Sequence, residues 1–227
     1  MEETNKPHCL GFIMDGNRRW AVEEGLPTLK GHAQGAETFF EVVRFVRDQS
    51  IPHAVFYAFS TENWQRTPEE VTYLLQLFSA LLGRMEEELT EEGVRVRVIG
   101  RRGDFPAELQ TRISELEEKS RQYGGTTIWV ALSYGGRAEI VTAVNEAIKR
   151  GEAVDETSFK SLLWTAELPD PDMIVRTSGE ARLSNFLTWA AAYSELYFIE
   201  KHWPALTKSD LEEILLEYAK RQRRHGK

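Results

Sequence analysis

Phe12-Ile13-Met14-Asp15-Gly16-Asn17-Arg18-Arg19-Trp20 is the stretch from which the fold and the site can both be read. An apolar run of strand type gives way at once to an acid, a glycine and two arginines. Such a segment builds a poor core, but it suits a strand that ends at a ligand. The carboxylate of Asp15 can take a hard cation such as Mg²⁺, which prefers a carboxylate together with substrate phosphate oxygens. Arg18 and Arg19 can fork onto the remaining phosphate oxygens. Gly16 permits a sharp turn and a close backbone approach. The alternative is an ordinary Asp-Gly turn.

The same pattern recurs outward from this stretch. Strand-like runs are expected at 10–14, 54–59, 94–99, 127–132 and 172–175. Between them, Ala36, Phe39, Phe40, Val43 and Val46 fall at helical spacing. So do Val71, Leu74, Leu75, Phe78, Leu81, Leu82, Met85 and Leu89, on a helix opened by a capping box at Thr67-Pro68-Glu69-Glu70 and ended by Gly93. Leu109, Ile113 and Leu116 mark another helix, and Ile140, Val144 and Ile148 a further one closed by Gly151. A last helix opens at Thr207 or Ser209. Strands separated by helices of this length predict right-handed crossovers and a mainly parallel sheet. The expected fold is α/β, a single domain over 1–227 with helices flanking a central sheet. Ligands of such sheets sit beyond the carboxyl ends of the strands.

Composition narrows the function. The net charge of −8 excludes a general nucleic-acid binder, which needs a basic face. The single cysteine, Cys9, forms no internal disulfide and reads as core filler, so a cytoplasmic location is expected. The opening residues lack an apolar signal core, and no apolar run approaches the ~20 residues of a membrane span. There is no P-loop, dinucleotide fingerprint, nucleophile elbow or zinc spacing. No Asp-Asp-x-x-Asp run of the trans-type prenyl synthases is present.

Four polar segments follow the strands: 15–20 continued by Lys30-Gly31-His32, then 60–66, 134–137 and 176–186. Each carries arginine, and their convergence at one sheet edge points to an anion that joins them. The segment from Arg176 through Arg182, Ser184 and Asn185 mixes hydroxyls, amides and guanidinium groups suited to a diphosphate. Plainer readings stand beside these. Arg66 can be a solvated residue beside a cap, Gly135-Gly136 a turn with Arg137 exposed, and His32 a structural histidine. Trp20 and Trp64 can be packing residues.

Taken together, these blocks resemble the cis-prenyltransferases, typified by undecaprenyl diphosphate synthase. The resemblance runs from about His8 to Gly226. It is carried by Met14-Asp15-Gly16-Asn17 with Arg19-Trp20, Gly31-His32, Tyr57–Ser60 with Glu62-Asn63-Trp64 and Arg66, Tyr134–Arg137, Arg176–Glu180 with Arg182 and Ser184–Phe186, and Tyr193–Phe198. It implies condensation of isopentenyl diphosphate with an allylic diphosphate such as farnesyl diphosphate, giving a cis-polyprenyl diphosphate such as undecaprenyl diphosphate for a cell-wall lipid carrier. By the same resemblance, Asp15 binds Mg²⁺ and supports departure of diphosphate, and Glu195 helps hold the metal, from a partner subunit in one version. Gly16, Asn17, Arg18, Arg19 and Trp20 serve the allylic diphosphate, with His32 nearby. Arg176, Arg182 and Ser184 serve isopentenyl diphosphate. Ser60, Asn63, Trp64 and Arg66 belong to a segment that covers the site, and Asn63 assists removal of the isopentenyl proton. Arg224 reaches the site across a homodimer. The helix at 71–89 is either the wall of an apolar product tunnel or ordinary core.

Three positions depart from the family pattern. Arg18 stands where many members carry glycine, and Thr28 where many carry arginine, so Arg18 or Lys30 is expected to supply the missing charge. Ala181 replaces a larger polar residue. Peripheral contact with a membrane is compatible with a lipid product, although no basic amphipathic helix announces it. A non-catalytic partner subunit of a heteromeric prenyltransferase is the alternative, but such subunits tend to lose the acid and the phosphate loop.

Overall fold

Strands β1 Cys9–Ile13, β2 His53–Ser60, β3 Arg95–Ile99, β4 Thr127–Tyr134, β5 Met173–Arg176 and β6 Glu195–Phe198 form one sheet in the order β3-β4-β2-β1-β5-β6. All neighbouring pairs are parallel. This computed structural model describes residues 6–221. The strands of its centre are mostly apolar because both faces of a parallel sheet are covered; every residue of β1, β4 and β5 is buried.

Alternate strand residues feed two cores. On one face Leu10, Phe12, Phe56, Val130 and Val175 pack with apolar side chains of α2 Thr28–Asp48, α3 Pro68–Arg84, α4 Ala107–Ser120 and α7 Lys208–Lys220. On the other, Ile13, Val55, Ala131 and Ile174 pack against Leu168, Phe186, Leu187 and Ala190. Two further helices, α5 Gly136–Arg150 and α6 Glu156–Lys160, meet over a small cluster around Ala143, Phe159 and Leu163.

All five expected strands are present, and the structure adds features that the pattern did not show. The short strand β6 lies at the sheet edge with its residues alternately half-buried and exposed. Arg176, expected in a loop, is the last residue of β5, and Ser60 the last of β2. The β2–β4 register shifts around Phe59, a local irregularity of the kind that re-aims a strand end beside a site. Residues 17–23, expected as loop, form a short helix, α1 Asn17–Glu23. It lies so close to α2 that a Cβ on Gly31 would stand 1.8 Å from the Asn17 carbonyl oxygen. That approach explains the glycine of the Gly31-His32 pair.

Helix α3 begins as expected at Pro68, with the Thr67 hydroxyl accepting from the Glu70 N–H at 3.3 Å. The reciprocal half of the expected capping box is not made, because the Glu70 carboxylate accepts from Arg66 instead. The helix continues past Arg84 through a π turn, Met85–Leu89. On α5 the expected apolar face is inward only at Ile140, which packs on the Ala143, Phe159 and Leu163 cluster; Val144 and Ile148 are exposed, while Gly136, Glu139, Ala143 and Ala147 are buried. Thr207, rather than Ser209, caps α7, and Asp210 completes its box.

Candidate active site

The sheet order places a topological switch between β1 and β5. The chain leaves β1 toward β2 and leaves β5 toward β6, so a crevice opens beyond their carboxyl ends. Asp15 lies just past β1, and Arg176 ends β5 opposite Ile13. Across that crevice Arg176 Nη2 donates to Asp15 Oδ2 at 2.8 Å. Arg176 also donates to the Arg182 carbonyl and to Ser184 Oγ, while its buried Nε has no protein partner. Arg19 approaches Asp15 Oδ1 at 3.2 Å, and the Gly16 N–H donates to the same oxygen at 2.7 Å. Burial pushes the Asp15 carboxyl up, but the Arg176 hydrogen bond and charge, with Arg19 and the Gly16 N–H, outweigh it and hold the group below the usual carboxylate range.

The Asp15 loop is fixed from above. Asp15 N–H donates to Thr177 Oγ1 at 3.0 Å, Thr177 Oγ1–H donates to the Asp15 carbonyl at 2.7 Å, and Trp203 N–H donates to that carbonyl at 3.0 Å. Gly16 adopts φ +98°, a conformation open to glycine. After β5, Ser178, Ser184, Asn185 and Leu187 all adopt positive φ. Such conformations are costly in non-glycine residues and collect at functional sites.

Three recesses meet at this point. One polar cleft is lined by Asn17, Arg18, Arg19, Thr28 and His32. A second is lined by Ser60, Asn63, Arg137, Arg176, Ser184 and Asn185. The third is apolar, about 960 Å³ of space free of protein atoms, between Ala36 and Phe39 of α2, Leu74 to Leu82 of α3, and Val98, Val130 and Leu132 of the sheet. Met14 and Arg66 line all three, and Asp15 lines both polar clefts. The helix at 71–89 is therefore both core and cavity wall.

Glu70 organises the first cleft. Its carboxylate, 12% exposed, accepts from Arg66 Nη1 at 2.8 Å and lies 3.5 Å from Arg18 Nη1 and 3.6 Å from His32 Nε2. Burial lowers the His32 pKa, the Arg66 charge lowers it further, and Glu70 opposes both; the net shift is downward, which favours neutral imidazole. Of the two residues expected to supply charge beside Thr28, Arg18 lines the cleft, whereas Lys30 lines neither polar cleft.

Other expected site residues sit less directly. Trp64 packs against Phe59 and Phe105 and donates from Nε1 to Ser133 Oγ at 2.9 Å. Trp20, half-buried on α1, lines none of the three recesses. Asn63 caps the turn after β2, its Oδ1 accepting from Ser60 N–H at 3.0 Å, and lines the apolar cavity and the second cleft. Arg182 is exposed and pairs with Glu180, which also lies 3.3 Å from Arg19. The arginines thus have protein acids as partners, Asp15, Glu70 and Glu180. Glu70 and Glu180 were hidden in the sequence as a cap and a loop residue. Thr177, Ser178 and His202 were also missed, and no spacing linked His202 to the site.

Within one chain Glu195 lies apart from Asp15. It opens β6 opposite Met173, which pairs with Leu10, so it lies near the amino end of the sheet. Asp15 follows the carboxyl end, five residues or about 16 Å further along the strand direction. Glu195 instead accepts from Arg221 at 2.7 Å. One chain therefore does not bring Glu195 to Asp15, and among the described residues no group of three His, Cys, Asp or Glu side chains could hold a metal. A carboxylate facing two polar clefts is the kind of ligand that Mg²⁺ takes together with phosphate oxygens and water, so the residues present fit that ion. Arg224 lies outside the described residues.

Comparison with known proteins agrees with this geometry. Residues 13–226 match the prenyltransferase family described as undecaprenyl diphosphate synthase. An isoprenyl transferase of Thermotoga maritima is 44% identical, the match covering 97% of each chain. The ditrans,polycis-undecaprenyl-diphosphate synthase of Micrococcus luteus, specific for (2E,6E)-farnesyl diphosphate, is 41% identical over 97% of this chain and 91% of its own. Among solved structures, lavandulyl diphosphate synthase from Lavandula x intermedia, in complex with dimethylallyl diphosphate, superposes with a TM-score of 0.95 at 30% identity, covering 99% of this chain and 100% of that one.

Proposed function

This chain belongs to the prenyltransferase family of undecaprenyl diphosphate synthases, and on that premise we propose that it elongates an allylic diphosphate with isopentenyl diphosphate in cis geometry. The observation that carries the reading is the meeting of two polar clefts and one apolar cavity at Met14 and Arg66, with Asp15 between the clefts. Two diphosphates and one hydrocarbon chain require that division of space.

In this reading the allylic diphosphate lies against Arg18, Arg19 and Asn17, and its hydrocarbon passes Met14 and Arg66 into the cavity. Isopentenyl diphosphate lies against Arg176, Arg137 and Ser184. Asp15 would hold Mg²⁺, which would supply positive charge to offset that of the departing diphosphate. The arginines stabilise the same developing charge. The allylic carbon–oxygen bond breaks, a carbon–carbon bond forms to isopentenyl diphosphate, and loss of a proton restores the double bond. Neutral His32 and the arginine-bordered mouth leave the cavity free for the growing chain. The similarity to the farnesyl-specific relative supports farnesyl diphosphate as primer and undecaprenyl diphosphate, a cell-wall lipid carrier, as product.

We also propose a homodimer in the cytoplasm. Exposed Val141, Val144 and Ile148 on α5, and Leu196 and Phe198 on edge strand β6, support self-association. In that assembly Glu195 of a second copy is the one available to a metal. Among the described residues no helix is long and apolar enough to cross a membrane. Contact with the bilayer would be peripheral, for release of a lipid product.

The test is incubation of purified protein with farnesyl diphosphate, isopentenyl diphosphate and Mg²⁺, with products resolved by mass. The expected result is a series of products spaced by one isoprene unit. No elongation of any allylic primer would contradict the reading and favour a non-catalytic partner subunit.

A further inference from the structure

Beside Asp15 lies a chain of contacts that the reaction above does not use. Ser178 Oγ is 2.6 Å from His202 Nδ1, and His202 Nε2 is 2.9 Å from Glu23 Oε1. With Glu23 ionised, Nε2–H donates to the carboxylate and the Ser178 hydroxyl donates to Nδ1. A serine, a histidine and an acid in series suggest a nucleophile, but Ser178 is only 6% exposed and lines none of the three recesses. No substrate can reach its oxygen. The cluster has a different use.

Its members belong to three separate segments. Glu23 ends α1, Ser178 lies in the loop after β5, and His202 precedes a 3₁₀ turn, Trp203–Ala205. The backbone around His202 is held on both sides: Ser178 N–H donates to the Lys201 carbonyl at 2.9 Å, and Trp203 N–H donates to the Asp15 carbonyl at 3.0 Å. The imidazole and the Ser178 hydroxyl close over Gly16, where a Cβ would come within 2.5 Å of His202 Nδ1 and 2.6 Å of Ser178 Oγ. Helix α1 needs such support. It has seven residues, no side-chain cap and one buried residue, Ala21. A helix of that length is marginal without anchors.

We infer that Ser178, His202 and Glu23 are positioning residues: they strap α1, and with it Arg18 and Arg19, to the β5 loop that carries Arg176, Arg182 and Ser184. The strap fixes the distance between the two arginine sets, and so between the two diphosphates. The inference rests on the prenyl-elongation reading for the identity of those ligands. Glu23 is 65% exposed, so its bond is solvent-screened and the Ser178–His202 contact carries more of the effect.

Ser178→Gly separates this role from a merely structural one. Ser178 holds φ +80°, which glycine adopts freely, so the variant loses the hydroxyl and relieves the backbone. Its melting temperature should equal or exceed that of the wild type. By titration calorimetry with Mg²⁺, its Kd for farnesyl diphosphate should rise about tenfold, the worth of one hydrogen bond to a charged or polarised group. The Kd for isopentenyl diphosphate should stay within about twofold, because Arg176 is placed by β5 itself and donates to Ser184 Oγ at 2.8 Å. His202→Leu should weaken farnesyl diphosphate in the same way, and His202→Asn, which keeps a partner for Ser178, should recover part of the loss. Unchanged farnesyl diphosphate affinity in Ser178→Gly, or equal weakening of both ligands, would overturn the strap. Wild type that binds both ligands but never joins them would overturn the elongation reading and leave the strap standing. Wild type that binds neither would overturn both.

Discussion

Asp15 shows how a residue can be legible in type but not in setting. Its place after an apolar strand and before two arginines marked it as an anion-site acid, yet its main partner, Arg176, is 161 positions away in sequence. Arg176 read as a loop residue because its strand has four residues, and a buried guanidinium has no sequence signature. Glu70 was legible only as a helix cap. Its carboxylate, in the first turn of α3, gathers Arg66, Arg18 and His32 from the segments around it. Glu70→Ala should therefore destabilise the protein by about 1 kcal/mol, because Arg18 is 58% and Arg66 30% exposed and water takes up part of the lost pairing. Urea unfolding measures this. A change below about 0.5 kcal/mol, typical of a surface substitution, would show that the three groups do not depend on Glu70.

At the level of elements, long helices and central strands were readable because their periodicity reports burial directly. Two short elements were not. Helix α1 has few apolar residues, and β6 alternates too briefly at an edge to stand out. Helix α5 packs inward only one, Ile140, of the three residues read as its inner face. Its inner face is built from Gly136, Ala143 and Ala147, small residues that permit close approach, while larger Val144 and Ile148 point outward. That inner face also holds Glu139, whose carboxylate accepts from Tyr134 Oη at 2.5 Å and from Thr165 N–H and Oγ1–H at 2.8 Å. Burial raises its pKa despite these bonds. A folded-state pKa above the unfolded value of about 4.5 means stability is full below that pH and declines as pH rises toward the folded value. Glu139→Gln should remove this slope, so unfolding curves taken upward from about pH 4.5 should show the variant gaining on the wild type. A constant difference between the two would contradict the assignment. Helix α3 carries a second prediction. Leu81, half-buried, lines the apolar cavity proposed to take the growing chain. Leu81→Trp should shorten the products seen by mass analysis, and an unchanged distribution would place the growing chain elsewhere.

For the whole molecule, the parallel sheet and its alternating crossovers followed from strand and helix order, but the sheet order did not. The adjacency of β1 and β5 in the order β3-β4-β2-β1-β5-β6 puts the Asp15 loop and the segment after Arg176 on either side of one crevice. The outward face of α5 and the edge strand β6 bear on assembly. Ile148→Glu, at a position 70% exposed, should cost the monomer little and shift sedimentation toward a smaller species; unchanged sedimentation would place the subunit contact elsewhere. The account as a whole depends on Asp15 lying between two diphosphates. Its most direct measurement is incorporation of labelled isopentenyl diphosphate into a farnesyl diphosphate primer by wild type and by Asp15→Ala, with circular dichroism confirming that both are folded. The account predicts steady incorporation by the wild type and a loss of about a thousandfold or more in the variant; incorporation by Asp15→Ala at the wild-type rate would contradict it.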